Sequence, residues 1–211
     1  MITVEDVTTV EELPYEPLHL PSLAQGLPPV PPPELDPYLD AAATCFARHG
    51  ISRTSGPDIA RELGVSRTTV YRQVGTVEQA VRLLLARELH RFLAHLPTVL
   101  AGAVGPETVT RLLAAVVVSA REHPVLAKVL ADEPELIGPF LTSELHALVD
   151  RLSSIATPLL DRAMDAGLVH RRDPVVLAEF LVRTAVSLVL APPSGNLADF
   201  LDQTVLPVLS P

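Results

Sequence analysis

The sequence has too few cysteines and aromatic residues to belong to several classes of protein. Its 211 residues include one cysteine, Cys45, and no tryptophan. A single cysteine excludes an intramolecular disulfide framework and a cysteine-rich zinc site. Apolar runs are short and are broken by charge or proline, so no membrane-spanning helix is expected. The first residues also lack the basic and then apolar order of a secretory signal. We therefore expect a folded cytoplasmic protein that makes no membrane contact.

The sequence motifs of common catalytic sites are missing too. There is no Gly-x-Ser-x-Gly, no phosphate-binding loop, no glycine-rich dinucleotide turn and no run with metal-ligand spacing. The seven histidines are scattered along the chain, and none has a cysteine or carboxylate placed as a second ligand. These absences predict a protein that is not an enzyme and that needs neither a metal nor a cofactor.

The charge is unevenly distributed. The formal net charge is −9, which argues against a protein that simply coats nucleic acid or an anionic membrane. Residues 1–36 carry seven acids and no lysine or arginine, whereas residues 37–91 carry eight arginines against five acids. Residues 92–211 are acidic again, with eight basic and thirteen acidic residues. A polyanion would therefore bind within residues 37–91.

The first segment, residues 1–36, is rich in proline as well as acid. It holds eight prolines, most of them in the run from Pro28 to Pro33. Such a run favours polyproline II over helix, so we expect an extended or disordered acidic arm. Two roles stay open for this arm. It is either a passive tail or a flap that competes with DNA for the basic block.

Local signals in residues 37–76 predict three short helices. The first has apolar residues at helical spacing and ends at Gly50, which suits a left-handed cap. Ser55 and Asp58 form a capping-box pattern at the start of the second helix. Gly64 permits a tight turn, and Ser66 caps the third helix, which we expect over residues 67–74.

The third predicted helix presents hydrogen-bond donors without any acid. Its exposed residues are Arg67, Thr68, Thr69, Arg72 and Gln73. Helix, glycine turn and helix is the helix-turn-helix pattern, and these side chains donate to phosphates and base edges. The alternative is a helical hairpin with no role at DNA.

Residues 38–81 resemble the amino-terminal domain of the TetR family of bacterial transcriptional regulators. The matching pieces, in order and without a gap, are Ala42 and Phe46, His49-Gly50, Thr54-Ser55, Asp58-Ile59-Ala60, Gly64-Val65-Ser66 and Thr69-Val70-Tyr71. The resemblance implies a helix-turn-helix over Ser55–Val74. We expect base-edge contacts from Arg67, Thr68, Thr69 and Arg72. We expect phosphate contacts from Thr54, Ser55, Ser66, Tyr71 and Thr76.

Two residues depart from the family pattern. Val74 stands where the family usually has phenylalanine, which packs the recognition helix on the core. Val77 stands where the family often has lysine, which contacts a phosphate. That contact is therefore lost or moves to Thr76 and its backbone N–H. These changes affect the expected DNA affinity and leave the fold unaffected.

The remaining sequence, residues 77–211, predicts a second helical domain. Residues 76–96 read as one long amphipathic helix that Pro97 ends. Further helical stretches are expected over residues 106–122, 124–131, 140–166, 173–191 and 196–209. Pro158 is expected to kink or divide one of them, and the acids near Pro134 are expected to lie in a loop.

The resemblance implies a homodimer that pairs its last two long helices as a four-helix bundle. The residues expected at this interface are Val182, Val186, Val189, Leu190, Phe200, Leu201, Val205 and Leu209. The alternative is a fully internal helix in a monomer.

The resemblance also implies an effector pocket, for which the candidates are Phe92, Leu113, Val117, Met164, Phe180 and Arg183. Ordinary core packing is the alternative for each of these. Aromatic residues are only 4% of the chain, which favours an acyl-like effector over a planar one.

Together these patterns predict an all-α regulator in three parts: an arm (1–36), a helix-turn-helix DNA-binding domain (37–76) and a helical effector-binding and dimerisation domain (77–211). Its expected function is to hold a pseudo-palindromic double-stranded DNA operator as a repressor and to release it when a small apolar effector binds. The alternative is a dimeric helical protein-interaction module of the same fold that has lost operator reading.

Overall fold

The computed structural model describes residues 28–99, 105–139, 141–142 and 145–210. Within these ranges the regular structure is helical and contains no strand, which confirms the predicted all-α class. The part of the arm before residue 28 lies outside the described residues, and so do the predictions made for it. No helix in the described part of the chain is long and apolar enough to cross a bilayer.

The helices follow the chain in an order close to the predicted one. They are α1 (Asp36–His49), α2 (Gly56–Leu63), α3 (Arg67–Val74), α4 (Val77–Val99), α5 (Glu107–Glu122), α6 (Pro124–Asp132), α7 (Pro134–Pro139), α8 (Leu145–Asp165), α9 (Pro174–Leu190), α10 (Leu197–Thr204) and α11 (Leu206–Leu209). A 3-10 turn over Pro33–Leu35 precedes α1.

The first three helices and the start of α4 enclose one small core, which we call the head core. Its largest fully buried side chains are Leu39, Phe46, Ile59 and Val70. Val125 from α6 joins the same cluster, so the head is packed against the rest of the chain. Cys45 is buried there too, and burial raises the pKa of its thiol. A buried, protonated thiol is a poor nucleophile.

The second core lies among α5, α8, α9 and the carboxyl-terminal helices. Leu113 and Val117 of α5 meet Met164 of α8 and Leu201 of α10 in this cluster. The loop before α9 is tied to the chain end, because the His170 N–H donates to the Leu209 carbonyl at 2.9 Å. Antiparallel packing of α8 on α9 forms the broadest helix contact of this domain.

Helix α4 connects the two cores and has about 35 Å of length at 1.5 Å per residue. Arg87 on α4 is buried and forms ion pairs with Asp36 and Asp40 of α1, at 3.3 and 2.8 Å. The last part of the proline run also lies against α4, since the Pro28 carbonyl is 2.8 Å from Nε2 of His90. Residues 28–36 therefore belong with the folded domain and not with a free arm.

The helices differ from the predicted ones in three places. Helix α4 continues past Pro97 to Val99, because a missing N–H in the last turn costs one hydrogen bond and leaves the earlier turns intact. The predicted loop after Asp132 contains α7, since Pro134 is in the first turn, where proline is tolerated. Pro158 does not divide α8, and the alternative that it kinks this helix stays a prediction. The last predicted helix is two helices, which separate at Val205.

Candidate nucleic-acid interface

The turn between α2 and α3 is built as the sequence predicts. Gly64 ends α2 at φ +73°, in the left-handed region. Ser55 and Asp58 form the predicted capping box at the start of α2. Hydrogen bonds from Ser55 hold the pKa of the Asp58 carboxyl below its ordinary value. Ser66 caps α3, because its Oγ accepts the Thr69 N–H at 3.1 Å.

Helix α3 buries one face and exposes the other. Val70 and Val74 are buried in the head core, which fixes the helix by its inner side. Arg67, Thr68, Arg72 and Gln73 are exposed, and Tyr71 is 68% exposed. Two arginines, a phenol, an amide and a hydroxyl therefore share the outer surface of one short helix. This surface can donate hydrogen bonds to phosphates and base edges.

The arginines of the basic block fall into two groups. Arg48, Arg61, Arg87 and Arg91 each pair with a carboxylate. Within the described residues, Arg53, Arg67, Arg72 and Arg82 form no ion pair. Arg67 and Arg72 both lie on α3. The positive charge left for a polyanion is therefore partly concentrated on the third helix.

Three of the residues predicted to contact DNA have a polar group that already bonds within the head. Thr54 is buried, and its hydroxyl donates to the Gly50 carbonyl at 2.6 Å, so it holds the turn and has no surface to offer a phosphate. The Thr69 hydroxyl is half-buried and lies 2.8 Å from Ser66 Oγ. Thr76 is exposed, but its N–H donates to Gln79 Oε1 at 2.8 Å. The Thr76 N–H is free for a phosphate only after Gln79 moves.

The two departures from the family pattern are both accommodated inside the head. Val74 is buried despite its smaller size. Val77 packs its side chain against the head core. A side chain in that position does not reach outward to a phosphate, so the usual lysine contact has no counterpart here.

The six candidates for effector binding do not gather in one cavity. Leu113, Val117 and Met164 are buried together in the second core, and Phe92 is half-buried on α4. Phe180 and Arg183 lie on the exposed face of α9, and Arg183 pairs with Glu179 at 2.6 Å. The last two therefore face outward in the single chain, contrary to expectation.

None of these six candidates lines either of two clefts found in the described part of the chain. The larger has a volume of about 570 Å³ and lies between α8 and α9. Its lining includes Asp150, Ser153, Thr157, Val175 and Glu179. The smaller, of about 460 Å³, lies between α1 and the start of α6.

The candidates for the dimer interface are also divided. Leu201, Val205 and Leu209 are buried in the second core of their own chain, so they have no surface left for a partner. Val182, Val186, Val189 and Leu190 are half-buried. Phe200 is exposed. The most exposed apolar side chains of α9 are Val175 and Val176, which the sequence reasoning did not select. Val176 and Phe180 lie four residues apart, off the buried face of Leu177 and Leu181, and this helical spacing is the signal that could have identified Val176.

Comparison with known proteins agrees with this geometry. A family model described as bacterial regulatory proteins of the tetR family matches residues 39–74, from the middle of α1 to the end of α3. A sequence comparison with curated proteins finds no match.

Several solved structures share the fold over nearly the whole chain. GusR of Salmonella enterica has 19% identity and a TM-score of 0.63, with 84% of this chain and 95% of GusR covered. The TetR-family repressor AlkX of a Dietzia strain, implicated in biodegradation of n-alkanes, has 19% identity and a TM-score of 0.59, with 86% and 97% covered. The fatty acid degradation regulator FadR of Bacillus halodurans has 20% identity and a TM-score of 0.56, with 84% and 95% covered.

A helix-turn-helix head on an all-helical body defines a class of DNA-binding transcriptional regulators. Residues 39–74 carry the sequence pattern of the tetR family, and the chain shares the fold of solved TetR-family regulators.

Proposed function

We propose that this protein is a dimeric repressor that binds a pseudo-palindromic operator through α3 and releases it when a small apolar effector binds. Residues 37–76 are the reading head, and residues 77–211 hold the effector and the dimer contact. The observation that carries the proposal is the outer face of α3. It presents Arg67 and Arg72, which form no ion pair within the described residues, beside Thr68 and Tyr71.

In this proposal each α3 lies in a major groove, and two heads read two half-sites. Arg67, Thr68, Thr69 and Arg72 contact base edges, while Ser55, Ser66, Tyr71 and Thr76 contact phosphates. Thr54 drops out of the phosphate group because its hydroxyl is used inside the turn. An interaction module without operator reading is not favoured, because it would not require a cationic α3 surface.

The test is to replace Arg67 or Arg72 with alanine. A bidentate arginine contact to guanine is worth about 1–3 kcal/mol of discrimination, so each change should weaken operator binding by that amount. Operators would be selected from a random duplex pool with the unsubstituted protein. Affinities would then be measured at several salt concentrations, since phosphate contacts make binding fall with salt.

The matched control is Arg48→Ala, on α1. Arg48 is also exposed, but its charge is already paired with Glu62 at 3.1 Å. Surface pairs of this kind contribute about 0–1 kcal/mol to stability, so operator affinity should hardly change. Equal affinities for the control and both α3 variants would remove α3 from the interface.

The effector is proposed to be flexible and acyl-like. The second core has no aromatic residue among its buried side chains, which are leucine, valine, methionine and alanine. The solved structures of similar fold include a fatty acid degradation regulator and a repressor implicated in biodegradation of n-alkanes. An effector shifts DNA binding only by its differential affinity for the two conformations.

A thermal-shift screen would test the effector class. Fatty acids and acyl-CoAs should raise the melting temperature in proportion to ln(1 + [ligand]/Kd), and the same compounds should release the operator. Planar aromatic compounds serve as the comparison set. A response confined to the planar compounds would contradict the acyl-like class.

A further inference from the structure

A carboxylate from the body of the protein reaches into the head. Glu133 lies between α6 and α7 and is 2% exposed. Its Oε2 accepts the Ile51 N–H at 2.6 Å, and its Oε1 accepts the Ser52 N–H at 2.8 Å. Both oxygens are thus bound to consecutive amides of the turn that follows α1. Buried charged side chains are rare unless they are paired in this way.

The head leaves space for this carboxylate at Gly50. A Cβ atom at that position would lie 2.6–2.8 Å from the carboxyl atoms of Glu133. Gly50 also has φ +89°, which other residues rarely adopt. Burial raises the pKa of Glu133, but the two backbone hydrogen bonds, the Ser52 side chain and the Arg53 charge together lower it below its ordinary value. The carboxylate is therefore held in its charged form.

The bound turn controls how α2 begins. The Thr54 hydroxyl and the Thr54 N–H both bond back within the turn, to Gly50 and Ile51. Ser55 then caps α2. Since α3 follows α2 after one tight turn and packs on it, the direction of α3 depends on this start. A shift of the α6–α7 junction is passed to the head through two hydrogen bonds.

This contact is a second connection between body and head. The other connection is covalent, because the chain passes from the head into the body through α4. Gly50 follows α1, whereas α4 follows α3, so the two connections join the head at different points of its sequence. Helix α6 also packs on α1, beside the carboxylate. Two separate attachments restrict rotation of the head far more than one does, because a single helix still allows a hinge at its end.

We infer that Glu133 is a positioning residue that locks the reading head to the body and so fixes the spacing at which the two α3 helices meet DNA. The inference rests on the proposed function, because it concerns how heads of a dimer address two half-sites. Glu133 itself does not touch DNA. It acts through the turn at residues 50–53 and through α2.

The experiment compares operators whose half-site spacing is changed. The selected operator is used together with versions that have one or two base pairs inserted or removed at its centre. A rigid pair of heads should lose affinity steeply when half-sites move off their helical register. Glu133→Ala removes this attachment and leaves the packing of α6 on α1 in place. The head should then rotate more easily, so affinity should vary less with spacing, and affinity for the best operator should fall about tenfold.

Two further variants make the result specific. Glu133→Gln keeps the shape and one acceptor oxygen, so its spacing profile should lie between those of the other two proteins. It also serves if Glu133→Ala does not fold. The control is Glu135→Ala, because Glu135 is exposed on α7 two residues away. Its profile should match that of the unsubstituted protein.

Amide hydrogen exchange separates positioning from general stability. Exchange at Ile51 and Ser52 should speed up in Glu133→Ala and not in Glu135→Ala, while core amides of α1 stay protected. Operator binding with an unchanged spacing profile in both Glu133 variants would overturn the inference alone. Failure of the unsubstituted protein to bind any duplex specifically would count against the proposed function, and the inference would fall with it.

Discussion

Two glycines that end helices of the head differ both in backbone conformation and in surroundings, and this contrast explains their separate roles. Gly50 and Gly64 have φ +89° and +73°, and both end helices of the head. No atom lies within 4 Å of a Cβ built at Gly64, whereas the Glu133 carboxyl lies within 2.8 Å of one at Gly50. Gly50 has ψ 164°, in a region that is essentially restricted to glycine, whereas Gly64 has ψ 28° and is left-handed helical. The larger backbone strain and the steric conflict therefore both belong to Gly50.

We therefore expect Gly50→Ala to cost more stability than Gly64→Ala. A left-handed alanine costs about 1–2 kcal/mol, which is the whole effect at Gly64. At Gly50 the carboxylate must also leave its two amides, and hydrogen bonds to charged groups contribute about 1.5–3 kcal/mol each. Urea unfolding measures the change in the free energy of unfolding for both variants, provided that their m-values equal that of the unsubstituted protein.

Gly138→Ala is the control, because Gly138 has open space and no positive φ. In a Glu133→Ala background, the cost of Gly50→Ala should shrink, since the steric conflict is gone, but it should stay above that of Gly64→Ala because the backbone strain at Gly50 remains. An unchanged cost of Gly50→Ala in that background would show that the carboxylate moves aside freely.

At the scale of helices, the sequence predicts the parts that depend on local signals. The bounds of α3 are those expected, because Ser66 caps one end and Gly75 lies beyond the other. Helices α5, α6 and α9 come within one residue of expectation at both ends, since proline or a polar cap marks each start. A local signal needs no knowledge of the partner elements.

The features that escaped prediction depend on contacts distant in sequence. Glu133 appeared to lie in an exposed loop between prolines, whereas its partners are 81 and 82 residues away. Thr54 looked like a surface hydroxyl, and only the closed turn shows that it is buried. For the candidate interface, the cationic face of α3 could therefore be predicted, but the polar groups already used inside the head could not.

At the scale of the whole molecule, one surface of the single chain is unusually apolar. Val176 is 64% exposed and Phe180 is 41% exposed, and they lie four residues apart on the same side of α9. Val175 and, on α10, Phe200 are exposed as well. Large exposed apolar residues gathered on one element mark an interaction surface in soluble proteins. In the proposed dimer this surface of α9 meets its copy across a two-fold axis.

The last prediction concerns this surface, which Phe180→Glu and Val176→Glu should disrupt. A two-fold axis places the same surface of both protomers in the interface. One substitution therefore introduces two buried charges there. Sedimentation velocity at micromolar concentration should give a dimer for the unsubstituted protein and a monomer for the variants. Operator affinity should fall in parallel, because each half-site is then bound separately. Leu85→Glu is the control, since Leu85 is 64% exposed on α4 and outside the proposed contact. Its protein should remain dimeric. A dimer that survives both α9 substitutions would place the two-fold contact on another face of the body.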